Sequence, residues 1–467
     1  MIRVIRNALM SWVIVTCLII FESTWIYVRN GLAGFSAFMQ EGPYTNVPLT
    51  LASVAITWLL AGFLLLLLFK TKITKTTLIG WIGFFVIAIS YLNILRERVR
   101  YGDIAYYTEA AFNILKGQPL PDTYLYPPLW ATLLSFLTPL GENGILLIAW
   151  VANLLSLFLF YFLLRRILAH YQFKPQFAAL IATIFILVNM PVLRTLMYVQ
   201  VNFHVINFIF LSILLYKDRP FLSALAMALA VHLKASPALL ILAFLLEFNW
   251  KWLTYFAINI LLITAFTVAN NGFNPYFDFI NNFLSLNAPR SLSLHDNSFD
   301  SVIGITLSYI RANPSIVRIL VYLAKVTTAL IATILSLKTK TYFPEKENGS
   351  RIFNSIIPLF IAMTIFSPLI WEHHGIFITL PFLLLMKKLE SPAEWMLFGI
   401  SYLFVFLIPT FDYFPWSYER LPGMLILLAL AWITVKRNDS HYFSTFNNWA
   451  ESLIVSERQF QGNKKEL

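Results

Sequence analysis

Between Arg96 and Trp130 the chain gathers arginines, carboxylates and five tyrosines into one polar stretch, RERVRYGDIAYYTEAAFNILKGQPLPDTYLYPPLW, with long apolar runs on both sides. Asp103 is its most informative residue. A carboxylate partly desolvated at a membrane boundary has its pKa raised toward the range useful for a general base. Arg96, Arg98 and Arg100 lie just upstream and act in the opposite direction, while their guanidinium groups suit a phosphate through paired hydrogen bonds. A base beside an anion site is what transfer from a lipid-phosphate donor requires. A plainer reading stands next to it: the arginines touch lipid headgroups and Asp103 caps a helix beginning near Ala105.

Other polar groups recur at the ends of apolar runs. Lys234, in His232-Leu233-Lys234, lies deep in an apolar stretch, where an ammonium needs a partner, such as Glu247, or an anionic ligand. Trp371-Glu372-His373-His374 follows Ser367-Pro368. Two adjacent histidines suit proton transfer, a phosphate or a metal, but they lack the spacing of a zinc motif, and a Trp-His cluster also serves as an interfacial anchor. Gln200, Asn202, His295, Asn297 and Ser298 each fit a structural role as well as a binding one. Tyr126-Pro127-Pro128-Leu129 reads as a stiff turn, because consecutive prolines fix an extended backbone.

The elements that position these residues follow from composition. The 467 residues are 59% apolar, 16% aromatic and 12% charged, with mean hydropathy +0.72, whereas soluble domains carry about a quarter charged residues. A backbone in lipid must satisfy its own hydrogen bonds, so the apolar runs are predicted helices. The expected fold is all-α, a polytopic transmembrane bundle of about 12–14 spans over 8–28, 49–69, 77–95, 143–164, 176–190, 201–216, 221–233, 236–248, 252–270, 316–337, 352–370, 375–386, 393–411 and 421–435. Residues 221–233 and 236–248 are short and read as half-helices turning at His232–Pro237. Ile104 to Leu115 reads as an amphipathic surface helix with Gly117 as its stop.

The net charge of +11 is spread over short loops rather than one patch, which argues against nucleic acid. Cys17, the single cysteine, excludes an internal disulfide framework. The N-terminal run continues to about Tyr27 without a small-residue cleavage site and is expected to be an uncleaved first helix. Most Lys and Arg fall in loops that share a side with Arg3 and Arg6. The positive-inside bias therefore places both termini in the cytoplasm and the stretches 96–142, 191–200, 271–315 and 371–374 on the other face. The organisation expected is two N-terminal helices over 1–75, a core over 76–435 containing the loop 96–142, and a tail over 436–467.

Together the motifs resemble glycosyltransferase family 87, polytopic enzymes of the GT-C group that include mannosyltransferases. The likeness runs through Asp103, Leu115-Lys116-Gly117 and Tyr126-Pro127-Pro128-Leu129, then Gln200-Val201-Asn202, Lys234 with Pro237, Asn297-Ser298-Phe299, and Ser367-Pro368 through His373-His374. Val199 stands where the family has Gly, and no Gln separates Asn297 from Ser298. The resemblance implies an inverting transferase in a bacterial inner membrane. It would move a hexose, mannose among them, from a polyprenyl-phosphate donor to a lipid or glycan acceptor on the non-cytoplasmic face. Asp103 would be the general base, with His373, His374, Lys234 and Arg96 to Arg100 stabilising the departing phosphate. Tyr126, Gln200, Asn202, Asn297 and Ser298 would line the substrate site. No metal or other cofactor is implied. A transporter or lipid flippase, or a periplasm-facing glycan ligase or polymerase, also fits polar groups near broken helices.

Overall fold

A computed structural model describes residues 2–38, 58, 62, 66, 102–171, 173–187, 189–285, 296–338, 350–367, 369–408 and 416–436. The expected span 77–95, most of 49–69, and Arg96, Arg98, Arg100, His295 and Pro368 lie outside the described residues. Among the described residues the regular structure is helical throughout, with no strand. The helices are α1 (Ile2–Phe38), α2 (Ile104–Leu115), α3 (Leu129–Ser135), α4 (Gly141–His170), α5 (Pro175–Leu187), α6 (Met190–Met197), α7 (Asn202–Leu215), α8 (Pro220–Leu233) and α9 (Ile241–Leu246). They continue with α10 (Trp250–Asn271), α11 (Asn274–Ser285), α12 (Phe299–Ser308), α13 (Pro314–Lys338), α14 (Ser350–Ile365), α15 (Thr379–Leu385), α16 (Pro392–Tyr402) and α17 (Arg420–Lys436).

Three of the described segments, Thr138–His170, α10 and α13, are long and apolar enough to cross a membrane. A fourth is added if α5 and α6, bent by 62°, form one span. The remaining apolar helices are shorter, and the sequence supplies the breaks. Asn189 caps α6 by accepting from the Val192 N–H at 3.0 Å, and Pro191 follows inside the first turn. Residues 191–200, expected as a polar stretch on the non-cytoplasmic side, are a buried helix and its exit turn. Helix α8 starts on Pro220 and stops at Lys234, which is extended (φ −155°, ψ 129°) ahead of Ser236-Pro237. A three-ten turn over Ser236–Leu240 then leads into α9, so the two half-helices meeting at His232–Pro237 are present as expected.

The core lies where α7 packs between α4 and α8, with α8 against α10 on its other side. Phe160, Phe203 and Phe210 stack along the α4–α7 contact. Helix α6 and the three-ten turn Glu372–Ile378 pack on each other, which brings the 370s to the end of α6 just ahead of Gln200. Helix α2 keeps its expected bounds and buries Ile104, Tyr107, Ala110, Ala111 and Ile114. These recur at three- and four-residue intervals, so one face of α2 packs down while Tyr106 and Leu115 stay exposed. Gly117 ends it at φ +64°, a conformation that costs glycine little.

Candidate active site

Asp103 stands at the mouth of α2 but does not cap it: its side chain makes no capping hydrogen bond. The carboxylate instead accepts from Gln200 Nε2. A close backbone approach makes this possible. A Cβ on Gly102 would come within 2.6 Å of the Tyr198 Cα, so only glycine lets residues 102–103 lie against the exit turn of α6. That turn is itself unusual, because Val199 has φ +50°. A β-branched residue pays for this left-handed conformation with strain, and the turn it makes aims Gln200 at Asp103. Gln200 is also a hub. Its Oε1 accepts from the Tyr107 hydroxyl at 3.0 Å and from the Tyr126 hydroxyl at 3.4 Å. The rings of Tyr107, Tyr124 and Tyr126 meet edge-on or tilted at 5.1–6.3 Å.

Burial of the Asp103 carboxyl pushes it up from the ordinary carboxylate range to about 6. The Lys234 ammonium and a hydrogen bond from Tyr126 act in the lowering direction. Lys234 projects from the break after α8. Its Nζ donates to Asn202 Oδ1 at 3.0 Å and lies 5.6 and 5.5 Å from the ring centroids of Tyr126 and Phe377. Its partner is therefore Asn202 and not Glu247. Asn202 Nδ2 in turn donates to the His373 carbonyl at 3.4 Å, tying the start of α7 to the turn that carries both histidines.

His373 and His374 are buried, with ring centroids 4.5 Å apart. His374 Nδ1 accepts from the Trp371 N–H at 2.9 Å. A neutral His374 consequently carries its proton on Nε2, where it is a donor. Behind them Glu372 is clamped between two guanidinium groups, Arg194 Nε at 2.5 Å and Arg420 Nη2 at 2.5 Å. Arg194 also donates to the Tyr198 hydroxyl at 3.2 Å, and the Tyr198 ring faces His373 edge-on at 6.3 Å.

Asn297 and Ser298 meet this frame from the other side. Asn297 Oδ1 accepts from the Arg420 N–H at 3.0 Å, and Ser298 caps α12 through the Ser301 N–H. Asp296 accepts from the Ser298 hydroxyl, the Ser301 hydroxyl and the Ile370 N–H, each at 2.7 Å. Both residues thus hold backbone in place. Among the described residues no three His, Cys, Asp or Glu side chains gather to hold a metal ion.

The structure therefore brings Asp103, Tyr126, Gln200, Asn202, Lys234, His373 and His374 into one connected network. Sequence reasoning passed over Tyr107, Arg194, Asp296 and Arg420, and it named Glu372 only as part of the Trp-Glu-His-His motif. The available signal was a lone charge inside an apolar run, as with Arg194 in NMPVLRTLMYV, but its partner lies 178 residues away.

Comparison with known proteins gives one family. The model of glycosyltransferase family 87 matches residues 124–368, a little over half of the chain. The matched region holds Tyr126, Gln200, Asn202, Lys234, Asn297 and Ser298, whereas Asp103, His373 and His374 flank it. No curated protein and no solved structure matches the chain.

Proposed function

The chain belongs to glycosyltransferase family 87, and from that premise we propose that it takes its sugar from a polyprenyl-phosphate donor and uses Asp103 as the general base. The observation that carries this reading is the setting of Asp103: a buried carboxyl with a pKa of about 6, held by Gln200 and bonded to Tyr126, whose ring centroid lies 5.6 Å from Lys234 Nζ. A base poised near neutral pH takes a proton efficiently. An anion drawn to Lys234 would sit beside the turn that carries the histidines, since Asn202 links the ammonium to the His373 carbonyl.

The step is a single displacement. Asp103 removes the proton of an acceptor hydroxyl, and that oxygen forms the new bond to the anomeric carbon. The bond from that carbon to the phosphate oxygen breaks, and the lipid phosphate leaves with the electron pair. Negative charge grows on the phosphate as it departs, so donors fixed at that point favour the transition state over the ground state. Lys234 and the Nε2–H of His374 supply them in this scheme, and Arg96, Arg98 and Arg100, a few residues before Asp103 in sequence, are further candidates. The anomeric configuration inverts. The sugar is a hexose, mannose in the first instance, the acceptor is a lipid or glycan, and the site opens on the non-cytoplasmic face of a bacterial inner membrane.

Purified protein given a panel of polyprenyl-phosphate sugars should transfer one of them to a membrane-lipid or glycan acceptor. Asp103→Asn should lower turnover roughly 10²–10⁴-fold with donor binding retained. Full turnover in Asp103→Asn, or transfer from nucleotide sugars alone, would overturn the proposal. Transport of a lipid without bond formation would favour a flippase.

A further inference from the structure

Helix α11 divides its surface three ways. Pro275, Asp278 and Asn282 face the protein. Phe273, just before the helix, together with Phe277, Ile280 and Leu284, is exposed at 62, 60, 47 and 59%, at the spacing of one helical stripe. Asn274, Asn281 and Ser285 form an exposed polar edge beside that stripe. The position of the helix restricts what covers the stripe. Helix α10 has 22 residues, about 33 Å at 1.5 Å per residue, close to the hydrocarbon thickness of a bilayer. It ends on Gly272 at φ +71°, and α11 begins two residues later. The Asn271 side chain also donates to Thr132 Oγ1 of α3 at 2.8 Å. Helix α11 is thus set down where a spanning helix leaves the membrane, on the same end as α3 and the Asp103 loop.

We infer that α11 is a membrane-interface helix, its phenylalanine stripe in the lipid headgroup and acyl boundary, and that it fastens the loop Leu120–Tyr124 at that level. An apolar Phe and Leu face beside a polar one suits a helix lying in the interface, its apolar face buried about 5–10 Å into the headgroup and acyl boundary. The fastening is explicit. Asp278 Oδ2 accepts from the Leu120 N–H at 3.0 Å. Asn282 Nδ2 donates to the carbonyls of Pro121 and Tyr124 at 2.9 and 3.2 Å. Tyr124 then packs on Tyr107 and Tyr126 beside Gln200, so the bilayer surface is linked to the Asp103 network through two side chains of α11.

The test uses the full chain in a Cys17→Ser background, spin-labelled and reconstituted into vesicles of phosphatidylethanolamine and phosphatidylglycerol. Labels at Phe277→Cys and Ile280→Cys should collide with oxygen more than with an aqueous nickel chelate. A label at Asn281→Cys should show the reverse. The preference at 277 should persist when the protein is diluted with lipid. Access of the nickel chelate to 277 and 280 equal to that at 281 would overturn the inference, as would protection lost on dilution, which means a second copy covers the stripe. For the fastening, the pair Asp278→Ala and Asn282→Ala should increase the mobility of a label at Thr123→Cys and leave one at Asp218→Cys unchanged. An unmoved Thr123 label would overturn that part. Neither readout depends on sugar transfer, so the result stands apart from that of the transfer assay.

Discussion

As the proposed base, Asp103 acts only when deprotonated, and its pKa of about 6 sets the pH window. The acidic limb of kcat/KM should rise through about pH 6. Lys234 holds that value down, so Lys234→Met should move the limb to higher pH, as read from a pH–rate profile. An unmoved limb would mean that another group titrates. The same substitution should weaken donor affinity, since a charge-assisted hydrogen bond contributes about 1.5–3 kcal/mol, or roughly one to two orders of magnitude. Removing His374 should reduce kcat more than affinity if its Nε2–H acts on the departing phosphate. Asp103 and Lys234 were legible in the sequence because each is a charge where apolar surroundings make charge costly. The hub role of Gln200 was not legible. It depends on the +50° φ of Val199 and the absent Cβ of Gly102, and one chain without a structure shows neither.

At the scale of elements, the histidine turn is held by a charge clamp rather than by helix propensity. Glu372 is 6% exposed between Arg194 at 0% and Arg420 at 2%, and it joins α6 to the start of α17. Removing one partner of a buried ion pair leaves uncompensated charge and costs about 3–5 kcal/mol. Glu372→Gln keeps the shape but removes the negative charge that both guanidinium groups share, so its thermal midpoint in detergent should fall markedly. Glu142→Gln, on an exposed first turn of α4, should leave the midpoint nearly unchanged. Equal midpoints for the two variants would show that the clamp carries no stability. The bounds of α2 and the break at His232–Pro237 were readable from periodicity and from Pro and Gly positions. Helices α11 and α12 were not. They lie within 271–315, where Asn, Ser and Asp lower the apolar signal, and both are fixed by contacts distant in sequence, from Asp278 to Leu120 and from Asp296 to Ile370.

For the molecule as a whole, helix lengths give the depth of the site. Helix α7 runs from Asn202 in the site to Leu215, 14 residues in all, about 21 Å at 1.5 Å per residue. The turn Lys217–Arg219 that follows is therefore roughly 20 Å along the helix from Asn202, less than the roughly 30 Å of a bilayer core. If that turn lies at one surface, the site is recessed below the opposite one, under α11 and the loop 120–124. A recessed site suits a donor that stays in the membrane and presents only its phosphate and sugar. We propose from the basic residues of the turn that it faces the cytoplasm, and this orientation is testable with Cys17→Ser as background. Gly375→Cys is unsuitable as a reporter, because a Cβ there meets Pro191 Cγ at 2.6 Å. Gln118 and Asp218 are exposed at the two ends. Gln118→Cys should react with a membrane-impermeant maleimide in cells whose outer membrane, if present, has been permeabilised. Asp218→Cys should react only after the inner membrane is opened as well. The reverse pattern would put Asp103 on the cytoplasmic face and remove the polyprenyl-phosphate reading, since a cytoplasmic site has nucleotide sugars at hand. Labelling of both from outside would mean that α7 and α8 do not separate the two faces, and the recessed site would be lost with them.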